Sequence, residues 1–252
     1  NLSASMSARK VYVAIIAEPL IQVISMDSNE IIANIETGGG VHNTFVTPDG
    51  KYAVGGMIGA SEIIAIDTST DEVVFETSIP YSQNPFTGGV RPLTFTVNED
   101  GSTRSMLVNV GGWHGFWEID WETQEVLNKI SPPEGSWNRM DQTADGIQSA
   151  PSHGIVVLPD QSQVWHSSRA TSHIYGYTYP DFEYIGRVFI GNPAWITTTP
   201  DSDYLWVGVS GHNETAVVDV HNQEVIKRFP VGQAPKRIFT AIMPTGWEGE
   251  AP

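Results

Sequence analysis

Seven histidines and thirteen Lys or Arg residues supply the cationic and imidazole chemistry of this 252-residue chain. Four of these side chains stand at one repeated position, the start of a short apolar segment: His42, Arg91, His153 and Lys236, with Ala194 in the fifth copy. The next column holds Asn43, Gly154, Trp195 and Arg237. A matched loop column holds Glu18, Ala60, Trp113, Thr171 and His212, and His114 follows Trp113 directly. Two chemistries suit this set. Imidazoles converging without cysteine suit copper, iron or zinc; the ligands would be His42 and His153, completed by His114 or His212, with Glu18 beside them. Alternatively, His42, Arg91, His153, Lys236 and Arg237 form a cationic centre for a carboxylate or phosphate, walled by Trp113, Trp137 and Trp195, with Tyr81 in a neighbouring loop. There a neutral His would act as general base on water, and Arg91 or Lys236 would stabilise an oxyanion. A third reading is structural: polar residues at such a position satisfy strand ends and hold channel water, and the face then meets a protein partner.

These residues can converge only if the chain is a closed repeat. The segment PDGKYAVGGMIGASEIIAIDTSTDEVVFE from Pro48 superposes without gaps, through its second strand and the following loop, on the segments from Pro159 and Pro200, matching Asp67 with Thr178 and Asp219. Each unit reads as short alternating strands rich in Val, Ile, Tyr and Trp, bounded by turn clusters, and no stretch has a sustained helical period. Four strands per unit is the pattern of a propeller blade. First strands are expected at 42–47, 91–97, 153–158, 194–199 and 236–241. Later-strand blocks start at Val11, Tyr52, Met106, Val164 and Leu205. The expected fold is therefore all-β: one domain over 1–252, a five-bladed β-propeller with four-stranded blades. Its ring is expected to close by pairing the C-terminal strand with the N-terminal blade, which removes both sheet edges. Asp67, Asp120 and Asp219 are expected to bind turn amides rather than substrate. Trp165 and Trp206 are expected to pack between blades.

Tyr12-Val13-Ala14, Ala65-Ile66-Asp67, Val217-Val218-Asp219, the Pro48-Asp49-Gly50 turn and Val231-Gly232 before Pro235 resemble the YVTN-repeat β-propellers, a family that includes lactonase-like proteins. The resemblance implies the propeller fold and makes a lactone or ester a reasonable substrate. Thr178 in place of Asp breaks the strict repeat in one unit.

The face carrying the two histidine columns also carries the long loops Ser78–Val90 and Ser131–Ser152, and loops of that length are commonly functional. Asp plus Glu outnumber Lys plus Arg by 29 to 13, a formal charge of −16, which disfavours nucleic acid and anionic membranes. No apolar run approaches the ~18 residues of a membrane-spanning helix. The absence of cysteine excludes disulfides and thiolate chemistry. Acidity and low lysine content fit a secreted or salt-adapted protein, and a periplasmic or secreted location is expected, with a small-molecule ligand at the face of the histidine columns.

Overall fold

A computed structural model describes residues 1–58, 60, 62–79, 89–133, 150–243 and 246. Among the described residues, twenty strands form five four-stranded antiparallel sheets, each running in sequence order from inner to outer strand. The innermost strands are β1 (Leu2–Ser5), β5 (Val41–Val46), β9 (Val90–Val97), β13 (Ser152–Val157) and β17 (Pro193–Thr198). Each packs on the next, from β1 to β17. The second strands are β2 (Lys10–Ile15), β6 (Tyr52–Met57), β10 (Thr103–Val110), β14 (Gln163–Ser168) and β18 (Tyr204–Val209). The third strands are β3 (Leu20–Ser25), β7 (Glu62–Asp67), β11 (Phe116–Asp120), β15 (His173–Thr178) and β19 (Glu214–Asp219). The outer strands are β4 (Ile31–Glu36), β8 (Val73–Ser78), β12 (Val126–Ile130), β16 (Tyr184–Phe189) and β20 (Glu224–Pro230). Among the described residues there is no helix, so none is long and apolar enough to cross a membrane.

The turn between third and outer strands repeats because its chemistry repeats. One side-chain oxygen at the end of each third strand accepts turn amides: Ser25 Oγ from Asp27 and Ser28, Asp67 Oδ1 from Ser69 and Thr70, Asp120 Oδ1 from Glu122 and Thr123, Thr178 Oγ1 from Glu183, and Asp219 Oδ1 from Asn222. Thr178 thus does the work of the Asp it replaces. Four apolar clusters fill the seams between successive blades; Trp165, fully buried, belongs to the one between blades four and five. Trp206 is half-buried and stacks on Phe229 of its own blade, at 5.6 Å and 7°.

Ring closure differs from the sequence expectation. The N-terminal blade already has an inner strand, with β1 paired to β2 from Leu2↔Val13 to Ser5↔Lys10, so the edge of β2 expected to pair with residues 236–241 is taken. The sequence Leu-Ser-Ala-Ser carries too little apolar alternation to announce a strand. Residues 236–241 form no strand; instead they join blades five and one through side chains. Thr240 Oγ1 lies 3.0 Å from Thr197 Oγ1 and donates to Thr198 O at 2.9 Å. Arg237 donates to Asn1 Oδ1 and Leu2 O at 3.2 and 2.8 Å.

Where inner strands crowd together, glycine is required. A Cβ on Gly154 would sit 2.8 Å from Ala194 O, Trp195 Cα and Ile196 N, all backbone atoms of the next blade. Gly154→Ala should therefore destabilise the fold by about 1–3 kcal/mol, the usual range for overpacking, read as a lower urea midpoint at unchanged m-value.

Candidate functional site at the axial mouth

Each of β5, β9, β13 and β17 enters its blade through a bulge. Against the partner strand there is one extra residue between Val41 and Asn43, between Val90 and Leu93, between Ser152 and Ile155, and between Pro193 and Ile196. The residues inside these bulges are His42, Arg91 with Pro92, His153 with Gly154, and Ala194 with Trp195. A bulge breaks the alternation of the pleat and re-aims its side chains. One irregularity, repeated four times, thus presents the two columns singled out from the sequence.

Side chains of the second strands satisfy the distorted backbone. Asn109, opposite the Arg91–Pro92 bulge, donates to Pro92 O (3.2 Å) and to His153 O of the next blade (2.6 Å). Ser167 accepts from Gly154 N (2.7 Å) and donates to Ala194 O of the next blade (2.9 Å). Both residues are fully buried and both were missed from sequence. Their signal was a polar residue at a buried position of a strand, in Leu-Val-Asn-Val and Val-Trp-His-Ser-Ser.

The His42 and His153 rings lie 6.0 Å apart, nearly perpendicular at 79°. His153 is buried, and its Nδ1–H donates to Ala194 O at 3.1 Å. A carbonyl can only accept, so the neutral ring keeps its lone pair on Nε2. His42 is half-buried, and the Asn43 amide meets its Nδ1. Trp195 packs edge-on to His153 at 5.4 Å and is stacked with Phe45 at 6.4 Å. Arg237 lies over the Trp195 ring at 5.3 Å.

Burial, then the nearby Arg91 guanidinium, lowers the His42 pKa to about 4. Arg237 and Lys236 act on it in the same direction. Burial, then Arg169, lowers His153 to about 3. Arg91 is itself buried, and burial with Arg169 beside it lowers its pKa to about 10, leaving it charged at neutral pH. Among the described residues, every charged side chain acting on the two imidazoles is a cation. Arg169, absent from the sequence reading, follows β14 and belongs to this group.

Other candidates stand elsewhere. His114 is fully buried beside His166, at 6.3 Å, with its Nε2 2.7 Å from Ser168 Oγ. His166 is fully buried and stacked on Tyr175. His212 is largely exposed, 3.6 Å from Glu214. Glu18 is exposed at a turn. Trp113 packs on Trp117 of its own blade, 6.0 Å away. Neither His114 nor His212 therefore completes a metal set with His42 and His153. Among the described residues no three His, Cys, Asp or Glu side chains are grouped to hold an ion. The reason is local: His114 directs its ring into the seam between blades three and four, while His212 belongs to a solvent-facing turn. Tyr81 and Trp137 lie outside the described residues.

The two depressed imidazoles link stability to pH. The unfolded chain takes up protons near pH 6.5 while folded His42 and His153 remain neutral to about 4 and 3, so stability is complete above 6.5 and falls as pH drops below it. Between pH 6.5 and 5, His153→Gln should lose less stability than the parent, by roughly 1–2 kcal/mol in urea titrations at the two pH values.

No protein-family model matches the chain, and no curated protein matches its sequence. Among solved structures, the chain is similar to Kuenenia stuttgartiensis hydrazine synthase, with a TM-score of 0.71 and 16% identity over 93% of this chain and 75% of that one. At that identity the likeness concerns the fold alone, and it agrees with the five four-stranded sheets: the chain is an all-β, five-bladed propeller.

Proposed function

We propose that the axial mouth binds a small anionic molecule and that the protein is a hydrolytic enzyme acting there. The observation that carries this reading is the gathering of Arg91, Arg169, Arg237 and Lys236 around two neutral imidazoles in a chain of net charge −16. A focused positive potential within an acidic surface draws anions and repels cations. His153, neutral at pH 7 with Nε2 unprotonated, can accept a hydrogen bond from water and orient it; as a weak base it takes the proton only as the new C–O bond forms. Arg91 meets the oxyanion, and collapse breaks the acyl C–O bond as His153 returns the proton to the leaving alkoxide. The resemblance to YVTN-repeat, lactonase-like propellers suits the same chemistry, because opening an ester or lactone leaves a carboxylate among these cations. Trp195 and Phe45 provide an apolar floor for the rest of the ligand.

A transition metal held by His42 and His153 is the second reading. It is favoured by the 6.0 Å ring separation, which fits two imidazole nitrogens each about 2.0–2.1 Å from one ion. The surrounding guanidinium groups weigh against it, since they repel a dication as they repel a proton on the same rings.

Calorimetric titration at low ionic strength with benzoate, citrate and inorganic phosphate tests the first reading. At least one should bind, and Arg91→Gln should weaken it by at least about tenfold. Elemental analysis runs beside it. Absence of binding by all three anions, together with near-stoichiometric copper, iron or zinc lost in both His42→Ala and His153→Ala, would replace the anion site with the metal site. Anion binding without turnover of ester or lactone substrates would make the protein a binding module.

A further inference from the structure

On the opposite face, each blade's turn between third and outer strands lies beside the preceding blade. In three of the four seams between blades successive in the chain, the positive-φ residue of that turn reaches back to the preceding blade. Between blades one and two, Asp71 accepts from Lys10 Nζ (2.8 Å) and Tyr12 Oη (2.9 Å). Between blades three and four, Phe182 packs on Phe116 at 5.8 Å, and Arg104 covers Tyr179. Between blades four and five, Gln223 donates to Ile185 O at 3.3 Å. The equivalent residue of blade three is Gln124. It folds back on its own turn instead, donating to Trp121 O (2.6 Å) and Glu122 O (2.9 Å).

Between blades two and three Trp121 of that turn reaches back instead, and beside it lies a cavity of about 500 Å³, within the size range of small-molecule sites. Trp121, half-buried, is met there by Tyr52 at 5.1 Å and Phe75 at 5.2 Å, and Phe95 holds it from the core side at 6.2 Å. The polar part of the lining includes Asp49, Lys51, Glu122 and Gln124. Asp49 is fixed by Thr47 Oγ1 at 2.6 Å and lies 3.4 Å from Lys51 Nζ. The lining therefore offers aromatic surface, donors and acceptors, with opposite charges paired side by side.

We infer that this cavity is a binding site for a neutral saccharide. A sugar ring has an apolar C–H face that packs on aromatic rings and a rim of hydroxyls that both donate and accept. An apolar ligand would desolvate Asp49, Lys51 and Gln124 without replacing their hydrogen bonds. An anionic ligand would oppose Asp49 and Glu122, and a cationic one would have to displace Lys51 from Asp49. The site lies on the face opposite the axial mouth and does not depend on what binds there.

Saturation-transfer NMR and tryptophan fluorescence with maltose, cellobiose, lactose and N,N′-diacetylchitobiose test the inference on the intact protein. At least one disaccharide should bind, and Trp121→Ala should weaken it by roughly tenfold or more. Because Trp121 also packs on Phe95, Tyr52→Leu serves as the second variant and should weaken binding in the same way with the fold retained. Arg91→Gln, at the other face, should leave saccharide binding unchanged. Failure of all four sugars to bind, or binding that survives in a folded Tyr52→Leu variant, would overturn the inference.

Discussion

The axial mouth depends on a bulge at the entrance of the inner strand. A regular pleat would alternate side chains between the two faces of a blade; one extra residue breaks the alternation and directs His42, Arg91, His153 and Trp195 to a common place. The distortion leaves backbone groups that a regular ladder would have paired, and in a buried setting these must find partners. Asn109 and Ser167 supply them, and in doing so each binds the backbone of the next blade. Site geometry and blade-to-blade cohesion are thus served by the same buried hydrogen bonds. Asn109 and Ser167 accordingly matter to the mouth as much as the imidazoles they help to place.

The electrostatics follow from this placement. Burial alone favours a neutral imidazole, and neighbouring guanidinium groups add to the effect. The outcome is a pair of bases that resist protonation far below their ordinary range, beside cations that keep their charge. In the proposed reading, these cations set the mouth apart from a chain of net charge −16. Such a contrast acts on ligands by charge before shape is felt.

The two faces solve different problems with the same repeat. On the opposite face, a turn residue of blades two, four and five reaches back to the preceding blade. Asp71, Phe182 and Gln223 are unrelated chemically but equivalent in position, and they meet Lys10, Phe116 and the Ile185 carbonyl. Gln124 departs from that pattern by bonding to its own turn; Trp121 crosses to Tyr52 and Phe75 instead, and the aromatic cavity lies beside it. In a quasi-repeated fold, the copy that departs from its siblings is where a site can form without disturbing the others.

The sequence by itself determined the blades. Alternating apolar strands, turn residues and the matched Asp67, Thr178 and Asp219 column are local signals, set by side-chain direction and by hydrogen bonds within a few residues, so they can be read without knowing the fold. The columns holding His42, Arg91, His153 and Lys236 were legible for the same reason. Tertiary structure alone decided what lay between blades. It revealed Leu2–Ser5 as the missing inner strand and made residues 236–241 a side-chain clasp. It separated His114 and His212 from the other imidazoles, and it brought Arg169, Asn109 and Ser167 to the mouth. Apart from the short β1–β2 hairpin and the His212 turn, those outcomes rest on contacts between blades, whose partners no local pattern names; they are fixed only when the sheets pack and every buried polar group must find its bond.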